Sequence, residues 1–169
     1  MKYKLLWLVF ILLSSCSSKT KFPKEFDESF SIEITWGMVG DCYYNSSTGF
    51  LTKAKHSSEE KYNTTYFLSD KEKERIFYEI KDLNIDKYPS KYEVNPKWIG
   101  ISVTPCESLG LSVETNSYKK SVYVEDYVVE FGYEDKRAMN FVNTIKYIKN
   151  ILTTTDSWRN LPELDFAYM

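Results

Sequence analysis

The stretch Ser29–Trp36, SFSIEITW, alternates Phe30, Ile32, Ile34 and Trp36 with Ser31, Glu33 and Thr35. Successive side chains of an extended chain point to opposite faces, so this period of two describes a strand with one apolar and one polar face. Such a strand needs strand partners beside it and an apolar layer over one face only. The segments around it provide both. Gly37–Ser47, with its Gly, Asp, Asn and Ser, reads as a turn or long hairpin loop in which Cys42-Tyr43-Tyr44 is extended. Gly49–Ala54 reads as a second strand, Lys55–Lys61 as a polar loop, and Tyr62–Leu68 (YNTTYFL) as a third strand rich in β-formers.

The covering layer begins at Ser69-Asp70-Lys71-Glu72. This is a capping box, in which the Ser69 oxygen accepts from the Glu72 amide and Glu72 reaches back to the cap amide. Ile76, Phe77, Ile80 and Leu83 then share one face, so Asp70–Leu83 is predicted to be a helix, ended by Asn84 in a left-handed conformation. Asp86–Lys97, with Pro89 and Pro96, reads as an irregular crossing. Strands are predicted over Trp98–Thr104, Leu109–Glu114 and Lys119–Val124, with a further short one over Tyr127–Phe131. Turns at Pro105–Ser108 and Asn116-Ser117 separate them. Ala138, Phe141, Val142, Ile145, Ile148 and Leu152 keep helical spacing and predict a second helix over Glu134–Leu152. The tail Arg159–Met169 carries Leu161, Leu164 and Phe166, which are expected to pack back on the domain. The expected fold is α+β: an antiparallel β-sheet with two amphipathic helices on one face. The halves Ser29–Leu83 and Trp98–Leu152 read as two copies of one β-meander-plus-helix unit.

The N-terminus has a different character. Lys2 and Lys4 precede nine unbroken apolar residues, Leu5–Leu13 (LLWLVFILL), and then Ser14-Ser15-Cys16. A charged start, a short apolar run and small residues make an export signal, and the run is too short to span a bilayer. Leu13-Ser14-Ser15-Cys16 resembles the lipobox of bacterial lipoproteins. That resemblance covers only the leader. It implies cleavage before Cys16, a thioether-linked diacylglycerol on its sulfur and an acylated amine, and two or more chains anchor stably. It further implies a cell-envelope location, facing the periplasm from the outer membrane in a Gram-negative cell, because Ser17 is not the aspartate that retains such proteins at the inner membrane. The chain then divides into residues 1–15 as signal peptide, 16–28 as tether and 29–169 as a single α+β domain. Phe22 and Phe26 of the tether are expected to touch the domain.

Cleavage leaves 154 residues (169 less 15), a normal size for one domain. It removes Lys2 and Lys4 from 22 basic residues against 24 acidic ones, so the balance becomes −4. Nucleic-acid partners leave a basic footprint, and none exists here. Cys42 and Cys106 form an even pair in a chain expected outside the cytoplasm, where disulfides persist, so they are expected to bond. The bridge would be worth about 4 kcal/mol in the chain-entropy account. The alternative is two reduced, buried thiols.

Chemistry-bearing patterns are sparse. His56 is the sole histidine and sits in a polar loop, so no metal ligand set or catalytic triad is visible and no cofactor is expected. Gly40-Asp41-Cys42 resembles the Asp-Cys step of papain-like cell-wall peptidases, but Tyr43-Tyr44 follows where that family has small residues, and His56 is only fourteen positions on. The adjacent carboxylates Glu59-Glu60, Glu125-Asp126 and Glu134-Asp135 read as solvated loop ends and helix starts. Aromatic content is high, at 17% with 14 Tyr, and Tyr43, Tyr44 and Trp98 are the candidate recognition aromatics. The expected function is that of a non-catalytic protein-interaction module held at the lipid bilayer through Cys16. It would act on an envelope protein partner as an accessory subunit, inhibitor or immunity-type protein. The alternative is a glycan- or ligand-binding or hydrolytic envelope lipoprotein. An aromatic cleft with two facing carboxylates would favour that alternative.

Overall fold

The structure is a computed structural model that describes residues 21–92, 107–127 and 136–164. Its strands are β1 (Ser31–Trp36), β2 (Cys42–Asn45), β3 (Phe50–Thr52), β4 (Asn63–Thr65), β5 (Glu107–Thr115) and β6 (Tyr118–Tyr127). The helices are α1 (Asp70–Leu83), α2 (Lys136–Thr153) and α3 (Asp156–Arg159). The strands form one six-stranded sheet in the order β4-β3-β2-β1-β5-β6. Every pairing in it is antiparallel. The expected α+β class, an antiparallel sheet with helices packed on it, is the observed one.

The period-two stretch sits inside the sheet, with β2 on one side and β5 on the other. Ile32, Ile34 and Trp36 are at most 2% exposed and enter one core with Leu109, Leu111 and Val113 of β5 and Val122 and Val124 of β6. Ile76, Phe77, Ile80 and Leu83 of α1 and Phe141, Val142, Ile145, Ile148 and Leu152 of α2 close that core from above. Each such side chain contributes about 1.5–3 kcal/mol when fully buried. Both helices therefore cover the face that carries Ile32, Ile34 and Trp36, and among the described residues the face that carries Glu33 and Thr35 has no helix on it. Arg75 Nε donates to Tyr147 Oη at 3.2 Å and ties the two helices together at the surface.

The capping box at α1 forms as expected. Ser69 Oγ accepts from the Glu72 amide and Glu72 Oε2 accepts from the Ser69 amide at 2.8 Å. Asn84, at φ 57°, ends the helix in the left-handed region. Other boundaries shift. The predicted strand Tyr62–Leu68 contracts to three residues because Tyr62 is the last residue of a 3-10 turn (Glu60–Tyr62) and is fully buried. Tyr127 belongs to β6, and the rest of the predicted strand Tyr127–Phe131 lies outside the described residues. A short helix, α3, precedes the predicted tail and shares only Arg159 with it; its Thr155 cap accepts from the Trp158 amide at 3.2 Å. Trp158 then lies against Trp36, with ring centroids 5.4 Å apart. The predicted strand Trp98–Thr104 lies outside the described residues, as do Cys16 and the whole leader. The two halves share one continuous sheet through the β1–β5 pairing, with four strands from the first and β5 and β6 from the second.

The N-terminal segment is docked from Phe22 onward. Phe22 meets Phe77 (4.9 Å between centroids) and Tyr118 (5.3 Å), and Phe26 meets Phe77 (5.7 Å). The Asp86 carboxylate joins them to the body, accepting from the Phe22 amide at 2.9 Å and from Tyr118 Oη at 2.8 Å. Burial, and then the Asp86 charge, pushes the Tyr118 phenol above its ordinary value.

Candidate functional site on the helix-free face of the sheet

Register alone builds a trough on the open face. Tyr43 of β2 stands opposite Thr35 of β1, Thr35 opposite Gly110 of β5, and Gly110 opposite Tyr123 of β6. One row across four strands thus reads large, small, none, large. At about 4.8 Å per strand the two tyrosine backbones stand about 14 Å apart. The next row is Asn45, Glu33, Ser112 and Ser121, all polar. Ser112 Oγ and Ser121 Oγ lie 2.8 Å apart. Asn45 Nδ2 donates to Glu33 Oε1 at 3.0 Å and to Tyr43 Oη at 3.3 Å, fixing the carboxylate at one side. The pocket over these rows measures about 340 Å³. That volume falls in the usual range for small-ligand sites.

Gly110 makes the depth. A Cβ there would lie 3.2 Å from Tyr123 Cδ2 and 3.4 Å from Thr35 Cβ, so a larger residue would fill the floor. Tyr123 leans over the glycine and stays 37% exposed.

Loop residues wall the remaining side. The amide of Lys55 donates to Asp41 O at 2.7 Å, and the amide of Lys53 donates to Tyr62 O at 3.1 Å. These bonds fold the 53–62 segment back toward the β1–β2 turn. Lys53 is anchored inside, its Nζ donating to Leu161 O at 3.1 Å and to Glu163 Oε1 at 2.8 Å. Lys55 and His56 are thereby delivered, exposed, to the rim of the trough. Lys55 Nζ rests 4.6 Å from the Tyr43 ring centroid, a cation–π contact.

The β1–β2 turn, residues 37–41, is strained. Val39 has φ 54°, a conformation that a β-branched residue rarely adopts and that costs on the order of 1–3 kcal/mol. Gly40 beside it has φ 73°, and a Cβ there would lie 2.9 Å from Thr35 Cγ2. The turn displays Met38 and Val39 at 42% and 50% exposure. Behind it, Asp41 is 4% exposed and its Oδ2 has no hydrogen-bond partner among the described residues. Burial pushes the Asp41 carboxyl above its ordinary value, and the His56 charge opposes this.

The expected site residues divide. Tyr43 is in the trough. Tyr44 is a correction: its ring is fully buried, its Oη donates to Tyr66 O at 3.1 Å, and it presents no surface to a partner. The reason is strand alternation, because Tyr44 pairs with Ile34 on the core face. Trp98 lies outside the described residues. Cys42 is a free thiol in the structure, and its expected partner Cys106 also lies outside the described residues. Burial pushes the Cys42 thiol up to about 12, which disfavours the thiolate a nucleophile needs. Glu33 is the one carboxylate among the described residues that line the trough, so the paired carboxylates of glycoside hydrolysis are not assembled there. Among the described residues no cluster of three His, Cys, Asp or Glu side chains could hold a metal ion, and no helix is long and apolar enough to cross a membrane.

Glu33, Lys55, His56, Gly110 and Tyr123 are the residues that sequence reasoning passed over as site members. The signal for Glu33 was the polar half of the alternation in Ser31–Trp36; Lys55, His56, Gly110 and Tyr123 carried no local signal and join it only through register and loop contacts. Comparison of the chain with protein-family models, with curated proteins and with solved structures gives no match.

Proposed function

We propose that the protein is a non-catalytic interaction module, anchored in the envelope membrane through acylated Cys16, that docks an envelope protein partner on the β1–β2 turn. The reading covers an accessory subunit, an inhibitor or an immunity-type lipoprotein. One observation carries it: Val39, β-branched and half exposed, is held at φ 54° at the lip of the trough. A folded domain retains strain of that kind where the surrounding structure or a function demands it. With Met38 beside it, the turn offers a projecting apolar tip, the sort of surface that fills a partner's pocket. A lipid tether suits a binding role because it raises the local concentration of the module near membrane-bound partners.

The test is a pull-down of tagged protein from detergent-solubilised native envelopes, comparing wild type, the double variant Met38→Asp/Val39→Asp and Cys16→Ala. A stoichiometric protein partner that the double variant loses supports the reading. A partner held equally by the double variant, or no partner at all, refutes docking on the turn. Mass analysis of the N-terminal peptide checks the anchor, with acyl chains expected on Cys16 and absent from Cys16→Ala.

The alternative of ligand binding draws on a separate observation, the trough itself.

A further inference from the structure

We infer that the trough between Tyr43 and Tyr123 binds a sugar ring that carries an acidic group. The chemistry of the lining is that of a hydroxyl-rich, amphipathic ligand with one negative charge. Thr35, Ser112 and Ser121 line it with three hydroxyls that can both donate and accept. Glu33 accepts from Asn45 at Oε1 and is also hydrogen-bonded by the Tyr43 hydroxyl, which fixes the carboxylate at the wall of the trough with acceptor capacity left for a ligand hydroxyl. Tyr123, 37% exposed over Gly110, offers a ring for the C–H face of a pyranose, while Lys55 already occupies a face of Tyr43.

The charge argument selects an acidic ligand. Lys55 makes no ion pair among the described residues, whereas Lys119 of β6 is bound to Glu114 at 2.7 Å. His56 stands beside Lys55 on the same rim. The only lining carboxylate among the described residues, Glu33, is held by Asn45 on the β2 side of the trough, where its charge also acts on Lys119. The trough therefore has a cationic rim, a hydroxyl floor and one acceptor wall. A bare anion would use the rim and leave Glu33 facing a like charge. A neutral sugar would leave the Lys55 ammonium unmatched. An acidic sugar satisfies both.

Val39 of the docking turn also lines the trough, but Lys55 and Tyr123 lie outside that turn, so variants at these two positions test sugar binding with the docking tip unchanged. The experiment is a ligand-observed NMR titration of the protein, expressed from its whole coding sequence and purified in detergent. The probes are glucuronic acid, N-acetylmuramic acid, glucose and inorganic phosphate. The acidic sugars are expected to bind in the millimolar range or tighter, with glucose at least about tenfold weaker. Lys55→Gln is expected to weaken the acidic sugars about tenfold and leave glucose unchanged, with Lys55→Arg restoring most of the loss. Tyr123→Ala is expected to weaken all three sugars. Circular dichroism of each variant checks the fold. Sedimentation with isolated cell-wall sacculi separates the sources: retention lost in Lys55→Gln assigns the glycan polymer, and monosaccharide binding without retention assigns a free acidic sugar. Either result supports the ligand class. Equal binding of glucose and glucuronic acid, displacement of the acidic sugars by equimolar phosphate, or absence of all sugar binding up to about 50 mM overturns it.

Discussion

Phe22→Ala tests how the N-terminal segment is held against the domain. Phe22 is half-buried, and its ring lies 4.9 Å from that of Phe77 and 5.3 Å from that of Tyr118. Half burial of a phenylalanine is worth about 1–1.5 kcal/mol, and an edge-to-face partner adds about 0.5–1.5 kcal/mol. Removal of the ring should cost about 2 kcal/mol of docking energy, which is about a thirtyfold rise in the undocked population. Lys21 and Lys24 flank this residue and give trypsin its sites. Proteolysis of a transiently opened segment follows the open population when reclosing is fast. Trypsin cleavage after Lys24 should accelerate about thirtyfold in native buffer. The midpoint of global thermal unfolding should fall by less than about 8 °C, since about 2–4 °C accompanies each kcal/mol in a domain of this size. A cleavage rate within about twofold of wild type would refute the docked segment. The consequence is mechanical. Six residue steps lead from Cys16 to Phe22, a reach of at most about 20 Å, whereas release back to Phe30 extends it to about 50 Å. With the anchor proposed at Cys16, the Phe22 contact would hold the domain close to the bilayer.

Three further predictions concern the cap, the thiol and the strained turn. Ser69→Ala should destabilise the domain by about 1 kcal/mol, lowering the thermal midpoint by about 2–4 °C. Glu72 sharpens this with pH: burial raises its pKa, but the bonds from Ser69 and Tyr66 and the Arg75 charge together outweigh that and hold it below the ordinary 4.5. A depressed carboxylate contributes stability that is present above 4.5 and lost as pH falls through its folded value, so acid melts between about pH 5 and 3 should weaken wild type more than Ser69→Ala. A larger acid loss in the variant would contradict the cap geometry. In the reduced protein, Cys42 should react with iodoacetamide at pH 7 about a thousandfold more slowly than an unperturbed thiol, because its pKa is pushed from 9.0 to about 12. In protein isolated from the envelope without reductant, peptide mapping should show Cys42 linked to Cys106, and a free Cys42 there would refute the expected bridge. Val39→Gly should stabilise the domain by about 1 kcal/mol, since relief of left-handed strain exceeds the added freedom of the unfolded chain. A fall in the urea midpoint would show that φ 54° is not strained in solution.

The parts of this molecule that were legible in the sequence are those fixed by local rules. The alternation of Ser29–Trp36 and the i, i+3, i+4 spacing of Ile76, Phe77 and Ile80 depend on neighbours only, and both elements form. The cap at Ser69 and the stop at Asn84 are local as well. Tyr44 went wrong for a reason that is nearly local. The stretch Cys42-Tyr43-Tyr44 is apolar throughout, so the register with Ile34 alone decides which tyrosine faces the core.

The trough needed information that no local rule contains. Its long row, Tyr43-Thr35-Gly110-Tyr123, joins residues up to 88 positions apart (123 less 35) through three separate register choices. A slip of one residue in any of them would turn a side chain of the row to the opposite face. Lys55 and His56 reach the rim only because the Lys55 amide bonds Asp41 O and Lys53 is pinned inside by Leu161 and Glu163, contacts that span up to 110 positions. Their appearance as a solvated polar loop was correct for exposure and silent about location. The polar half of an amphipathic strand is therefore a candidate surface whenever both helices of a two-layer fold claim the same side. In this chain that surface has shape because a glycine, not a larger residue, stands between two tyrosines. Gly110→Val keeps β-propensity and adds volume where Tyr123 and Thr35 already lie within 3.4 Å of a Cβ, so it should abolish ligand binding while the sheet persists.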